Sequence, residues 1–419
     1  MTGWAINSPG HLDPAILEIF IDGDPAGTVV SDLYRVDLAK EGIRDGRAHF
    51  SFDLPDSVLD GVRHNLRFAN IKTGEVLGGL KDFSVHLRRG LERFLDFQGT
   101  CGIRPAPAVH DLGRRLAKTK KRAILASYAA VPRLLAWQRE TYLWLEENGF
   151  TPLHVHAASD GAYSDFNFPP EWLGIAKRNF GYDFGSWMVG LSHCYELLGG
   201  IEEVLLINDS CFLPLSAGPS IMTRAARTDA DVVGLVDSYQ HTYHLQSFFV
   251  LLKKAVDKRL FFDRFIRSYS FSAEKSVVIA EGELKLTKFL LGMNHSVKAV
   301  FDYGFLVEKW LNFSDRYARS LATNSAAFPK EYLQRQIDYL RQVTETVQAG
   351  GPTNPAHAFA HILLEEGADF LKREVLTINP LGSPFLPQIS RFLKCSYPDR
   401  IAGIHESLIM VPGTSSSYI

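Results

Sequence analysis

The sequence has few of the features that mark specialised classes of protein. Its four cysteines (Cys101, Cys194, Cys211 and Cys395) form no CxxC pair and have no zinc-ligand spacing. A disulfide framework and a structural zinc site are therefore not expected. No apolar run approaches the roughly 18 to 20 residues that a membrane span needs. The net charge of −2 gives no overall nucleic-acid signature, so we expect no nucleic-acid partner.

The first residues also lack the basic and apolar regions of a secretory signal peptide. We therefore expect a cytoplasmic protein. With 419 residues, 46% of them hydrophobic, the chain is long enough for two or three domains with sizeable cores. We predict four segments, which are an accessory domain over residues 1–90, a linker over 91–120, a main domain over 121–385 and a C-terminal extension over 386–419.

The N-terminal segment has the pattern of a small all-β domain. Residues 16–21 read as a strand, and the turn residues Asp22 and Gly23 follow directly. Residues 50–52 and 66–68 are further short alternating runs. Short strands with frequent turn signals favour a β-sandwich, and we find no catalytic constellation in it.

Basic residues are concentrated between this segment and the rest of the chain. Residues 88–122 hold ten Lys or Arg against three acidic residues, together with several glycines and prolines. One interpretation is a solvated connector. The other is peripheral contact with anionic lipids at the inner face of the cell membrane, where each basic residue near the surface adds about 1 kcal/mol.

From residue 121 onward, strands and helices alternate. The predicted strands are residues 123–128, 153–156, 204–207, 232–236 and 297–301, with helical segments between them. This repetition is typical of an α/β fold with a mainly parallel sheet covered on both faces. From residue 329 the pattern is mostly helical.

The segment RNFGYDFGSW (residues 178–187) carries the first group of candidate site residues. Arg178, Asn179 and Asp183 supply a cation, an amide and a carboxylate, Tyr182 supplies an aromatic ring, and Gly181 allows close approach of a ligand. We predict that they bind a nucleotide. The alternative is that Asp183 caps the N-terminus of the helix that follows.

Polar residues also follow two buried strands, at the edge of an open α/β sheet where ligands bind. Asn208 and Asp209 follow the strand of residues 204–207. Either they bind a ligand, with the carboxylate contacting a metal ion or a ribose, or they cap the turn. Asp237 ends the next strand, and His244 follows it. A carboxylate or an imidazole is the usual proton acceptor for a hydroxyl, so Asp237 and His244 are the candidate catalytic residues.

Four segments resemble the rhamnan synthesis protein F family of bacterial glycosyltransferases that build cell-surface polysaccharides. They are the RNFGYDFGSW segment, LLINDSCFLP (residues 205–214), HTYHLQSFFVLL (residues 241–252) and residues 354–380. The resemblance covers about residues 120–382. It implies a Rossmann-like domain of the GT-A type that transfers a sugar, typically a deoxyhexose such as rhamnose. The donor would be a nucleotide-sugar and the acceptor a growing glycan or a lipid-linked glycan.

The resemblance to GT-A enzymes further implies a divalent cation, Mn²⁺ or Mg²⁺, against the donor diphosphate. Asp209 and His357 are its expected ligands. Because the strand end offers one carboxylate and not two, a second interpretation is a metal-independent site in which Arg178 and Lys372 neutralise the diphosphate. A third is a non-catalytic glycan-binding or scaffolding subunit, because a fold alone does not establish catalysis.

Overall fold

The computed structural model describes residues 2–7, 13–35, 38–39, 41–52, 54–55, 58, 64–83, 87–116, 119–216, 220–269, 271–324, 326, 328–351 and 353–409. The chain forms two compact units, Met1–Arg93 and Phe94–Ile419. Every candidate site residue lies in the second unit.

The first unit is built from two antiparallel sheets. Its strands are β1 (Thr2–Trp4), β2 (Ala15–Ile21), β3 (Asp24–Ser31), β4 (Leu33–Tyr34), β5 (Arg47–Ser51), β6 (His64–Asn70) and β7 (Val76–Phe83). One sheet has the order β1-β5-β4 and the other β3-β2-β6-β7. Alternate side chains of β2 are buried, as a strand with one face on a core requires. Leu17 packs with Phe50 of the other sheet.

The second unit is organised around one large sheet. Its strands are β8 (Arg104–Pro105), β9 (Lys121–Ala129), β10 (Thr151–Ala158), β11 (Gly174–Arg178), β12 (Glu203–Asn208), β13 (Cys211–Phe212), β14 (Val232–Ser238), β15 (His244–Leu245), β16 (Phe249–Leu252), β17 (Val297–Phe301) and β18 (Leu371–Lys372). The sheet order is β15-β14-β16-β12-β9-β10-β11-β8, with β17 paired to β14, while β13 and β18 form a separate two-stranded sheet. The predicted α/β class is confirmed.

The large sheet is mixed and not mainly parallel, which corrects the prediction. The pairs β9–β10, β10–β11, β9–β12 and β14–β17 are parallel, but β16 lies antiparallel between β12 and β14. Only residues 239–243 separate β14 from β15. A connection this short returns the chain as a hairpin, because a parallel neighbour needs a crossover of a dozen or more residues.

Helices cover both faces of the sheet and form most of the C-terminal region. They are Leu87–Cys101, Leu112–Leu116, Ala136–Glu147, Asp160–Tyr163, Tyr182–His193, Ser220–Arg227, Lys258–Ser268, Lys275–Val278, Leu284–Gly292, Tyr303–Thr323, Lys330–Gln348, Pro355–Ala358, Ala360–Glu365, Arg373–Thr377, Leu386–Ser396 and Ile401–Ile409. A π-helix, Ile279–Glu283, precedes Leu284–Gly292. Leu393 and Ile404 are buried in the main core, so the described part of the predicted extension belongs to the second unit.

Residues 94–116 and 119–120 of the segment predicted as a basic linker lie in the second unit. Phe94 and Phe97 of its helix are buried in the core, and the edge strand β8 pairs with β11. Its Lys120 lies 3.0 Å from Glu202.

No helix within the described part of the chain has both the length and the apolar character to cross a membrane.

Candidate functional site

The carboxyl ends of β9, β11, β12 and β14 lie on one edge of the large sheet. Strands β9, β10, β11 and β12 run parallel, and β14 has the same direction because two antiparallel pairings through β16 relate it to β12. Asn208 and Asp209 therefore lie beside the start of the helix Tyr182–His193, as ligand sites in open α/β sheets do. Asp237 lies two strands away, about 10 Å at ordinary strand spacing.

Asn208 is the centre of a hydrogen-bond network on this edge. It is buried, and its Nδ2 donates to Asp183 Oδ2 at 2.7 Å. Its Oδ1 accepts from both the backbone N and the Oγ of Ser210, at 3.0 and 2.6 Å. The side-chain amide is thereby locked, so the position of the Asp183 carboxylate is fixed from β12.

The ionised form of the Asp183 carboxyl group is destabilised in the folded protein. Burial, followed by the charge of Asp209, raises its pKa from 3.8 to about 7, while Lys372 and Lys177 act in the opposite direction. The helix begins at Tyr182 with Gly181 as its N-cap residue, so the alternative that Asp183 is the N-cap is wrong. Carboxylates held in this state are characteristic of functional sites.

Gly181 packs closely against protein. Its φ of 77° is left-handed, and a Cβ at this position would lie 2.5 Å from Phe97 Cε2. The half-buried Tyr182 is also left-handed, with φ 48°. Phe97 of the supposed linker thus shapes the loop that leads into the helix.

Asp209 is occupied by protein donors. Its Oδ2 accepts from Tyr128 N at 3.2 Å and from Gln138 Nε2 at 2.9 Å, and it lies 3.6 Å from Arg373 Nη1. Arg373 also donates to the Asp209 carbonyl at 3.1 Å. These bonds tie the strand end to the helices Ala136–Glu147 and Arg373–Thr377.

The small sheet of β13 and β18 brings a distant cation to the same edge. Cys211 pairs with Lys372, and Lys372 Nζ donates to Ser210 Oγ at 3.1 Å. The ammonium group lies 5.3 Å from the centre of the Phe248 ring. Lys372 is only half-buried, so its remaining donors can meet an anion.

Two residues of this edge, Lys177 and Glu374, were not predicted as site residues from the sequence. Lys177 is fully buried, its Nζ donates to the Phe180 carbonyl at 2.7 Å, and burial lowers its pKa to about 8. Glu374 lies 3.0 Å from His357 and 3.9 Å from Lys275, and His357 leads in lowering its pKa to about 2. The sequence could have indicated Lys177, because a lysine inside an apolar strand is unusual. No feature of the sequence indicates Glu374, because only the fold brings it to the site.

The predicted metal pair does not form a complete ligand set. Asp209 is bound as described, and His357 Nε2 contacts Glu374 Oε2 at 3.0 Å. Among the described residues, no group of three or more His, Cys, Asp or Glu side chains is suited to a metal ion. Asp209 and His357 therefore fit a divalent cation poorly. The metal requirement stays a prediction.

Arg178 and Asn179 lie apart from the network. The Arg178 side chain is 55% exposed, and its Nε lies 3.6 Å from Asp160 Oδ1. Asn179 is exposed and is held through its backbone, whose N donates to the Ala158 carbonyl. Although both residues are close to Asp183 in sequence, β11 ends at Arg178 and the chain turns before Asp183.

Asp237 and His244 occupy different environments. Asp237 Oδ1 accepts from Tyr303 N at 2.6 Å, and burial raises the Asp237 pKa to about 6. His244 is buried, and its Nδ1 contacts the Thr242 carbonyl at 2.8 Å. Asp237 is thus held by the backbone of the helix Tyr303–Thr323, and His244 by the loop between β14 and β15.

Residues 174–323 match the model of the rhamnan synthesis protein F family, which confirms the resemblance over that part of the chain. The chain is also 27% identical over 280 residues to virulence protein VirA of Vibrio anguillarum, which covers 65% of this chain and 84% of that protein. An uncharacterized protein y4gN of Sinorhizobium fredii is 24% identical over 149 residues, covering 35% and 39%. No solved structure matches the chain.

Proposed function

We propose that this protein is a nucleotide-sugar-dependent glycosyltransferase that acts in the synthesis of a cell-surface polysaccharide. The observation that carries the proposal is the Asn208-centred network, which places a carboxylate and a cation together at a strand end. The match of residues 174–323 to the rhamnan synthesis protein F family supports it. A GT-A-like assignment and a deoxyhexose such as rhamnose rest on that family resemblance.

Asp183 and Lys372 would bind opposite parts of the donor. The Asp183 carboxylate would accept hydrogen bonds from the ribose or the base. Lys372 and the N-terminus of the helix Tyr182–His193 would attract the diphosphate, because that helix end carries partial positive charge. Lys177 would hold the intervening loop through the Phe180 carbonyl. Arg178 is left out of this role, because its side chain is exposed beside Asp160.

Asp237 would act as the proton acceptor in the transfer step. The acceptor hydroxyl oxygen bonds to the anomeric carbon of the donor sugar, and the bond from that carbon to the diphosphate oxygen breaks with its electron pair. The hydroxyl proton passes to Asp237. With a pKa of about 6, this carboxylate is mostly ionised at neutral pH and still basic enough to accept a proton.

A panel of UDP-, GDP- and dTDP-sugars tests the proposal without knowledge of the acceptor. We expect slow hydrolysis of at least one donor, together with calorimetric binding of its nucleoside diphosphate. Asp183→Asn should weaken that binding, whereas Asp229→Asn, an exposed aspartate away from the edge, should not. A folded protein that binds and hydrolyses none of these donors would instead support the glycan-binding or scaffolding alternative.

A further inference from the structure

Three tyrosines lie next to Asp237 on the sheet edge. The Tyr239 ring centre lies 5.2 Å from that of Tyr243 and 5.4 Å from that of Tyr303. Tyr239 is 56% exposed, while the other two are half-buried. We call these three residues the tyrosine platform. A large aromatic ring presented to solvent by two supporting rings is typical of a recognition surface.

The platform is held by the same bonds that hold Asp237. Tyr303 N donates to Asp237 Oδ1 at 2.6 Å, and Tyr243 lies near enough to Asp237 for that carboxylate to raise the pKa of the Tyr243 hydroxyl. In the loop between Tyr239 and Tyr243, His241 has a φ of 72°, a conformation that non-glycine residues seldom adopt. Local backbone strain of this kind persists where surrounding contacts fix a functional loop. The ring of Tyr239 and the Asp237 carboxylate are therefore positioned as one unit.

The two halves of the edge differ in charge. Around the platform, burial raises the pKa of Tyr239 and Tyr243, and the Asp237 and Asp302 carboxylates raise them further. Around Asn208, the carboxylates of Asp183 and Asp209 are accompanied by Lys372 and by Arg373, which lies 3.6 Å from Asp209. An anionic diphosphate would be attracted by these cations, whereas the Asp237 and Asp302 carboxylates would repel it and would not repel a neutral sugar.

We propose that the tyrosine platform is the acceptor subsite, where a neutral pyranose ring of the acceptor glycan stacks on Tyr239 with one hydroxyl directed at Asp237. The inference rests on the proposed function, because it assigns the second substrate of that reaction. The negatively charged face of an aromatic ring attracts the polarised C–H groups of a sugar. The spacing of about 10 Å between the β12 and β14 ends leaves room for the donor sugar between the two subsites.

Saturation-transfer NMR with methyl α-L-rhamnopyranoside and methyl α-D-glucopyranoside tests the stacking directly. We expect transfer from the protein to the ring C–H protons of at least one glycoside. The signal should fall to background in Tyr239→Ala and persist in Tyr239→Phe, which keeps the ring. Phe328→Ala removes another exposed ring outside the edge and should have no effect. No signal with the wild type, or an undiminished signal in Tyr239→Ala, would overturn the assignment.

Donor hydrolysis and nucleotide binding, measured on the same samples, separate this inference from the proposed function. Tyr239→Ala should keep nucleotide binding, since Tyr239 lies on the acidic half of the edge. Loss of nucleotide binding in Tyr239→Ala would place the ring in the donor site and overturn the acceptor assignment. Absence of both in the wild type counts against the proposed function. A wild type that hydrolyses a donor but contacts neither glycoside counts against the acceptor subsite alone.

Discussion

The Asp183→Asn substitution should have opposite effects on stability and on binding. Asp183 ionises with a pKa of about 7 in the folded protein against an ordinary 3.8. The folded state therefore favours the protonated carboxyl, and the stability this provides is complete below pH 4 and lost as the pH rises through about 7. An amide keeps the acceptor for Asn208 Nδ2 and carries no charge, so the substitution removes this loss.

The expected gain follows from the pKa difference. About three pKa units correspond to roughly 4 kcal/mol, and because the accessible surface of Asp183 makes it half-buried, we expect roughly 2 to 4 kcal/mol. We expect Asp183→Asn to raise the free energy of unfolding by that amount at pH 8, measured by urea denaturation. The difference should shrink as the pH falls below 7 and disappear near pH 4. The exposed Asp229→Asn variant should show no such profile.

Nucleotide affinity should change in the other direction. Loss of a charged acceptor should weaken binding of the preferred nucleoside diphosphate by roughly 1 to 3 kcal/mol, about 5- to 150-fold, in calorimetry at pH 8. A gain in stability together with a loss of affinity is the result expected when a destabilised functional carboxylate is replaced. A variant less stable than the wild type at pH 8, or one with unchanged affinity, would refute this reasoning.

Three further predictions concern the rest of the edge. Lys372→Gln should weaken nucleoside diphosphate binding in calorimetry but leave nucleoside binding unchanged; equal losses for both ligands would reject a diphosphate contact. Glu374→Gln should lower the free energy of unfolding by about 1 kcal/mol at pH 7 after allowance for solvent screening, because the His357 contact stabilises the ionised carboxylate. That loss should fade as the pH drops from 4.5 through about 2 in urea titrations, and a pH-independent loss would contradict it. For the wild type, kcat/KM of transfer should rise with pH through about 6 as Asp237 ionises, and Asp237→Asn should abolish transfer; an unchanged rate in Asp237→Asn would exclude it as the base.

Local patterns predicted the strands well and the site in part. The strands β9, β10, β12, β14 and β17 lie where the sequence places them, and the first four have long apolar runs because they are buried. Asp183 and Asn208 were both identified from their positions after glycine turns and strand ends. Their hydrogen bond was not, because it joins residues 25 positions apart.

Tertiary contacts, which the local sequence pattern does not show, decide where a side chain lies. Arg178 and Asp183 are close in sequence, yet the turn after β11 directs Arg178 to solvent beside Asp160. Lys372 and Glu374 reach the edge only through the pairing of β18 with β13. Phe97 shapes the Gly181 loop from a segment whose composition resembled a linker.

A crystal structure with the nucleoside diphosphate that binds most tightly tests the central claim most directly. The proposed function predicts a diphosphate oxygen within hydrogen-bond distance of Lys372 Nζ and the nucleoside against the Asp183 carboxylate. It also predicts that the tyrosine platform stays open for a second ligand. A diphosphate bound away from the Asn208 network, with Asp183 and Lys372 contacting no ligand atom, would contradict the account.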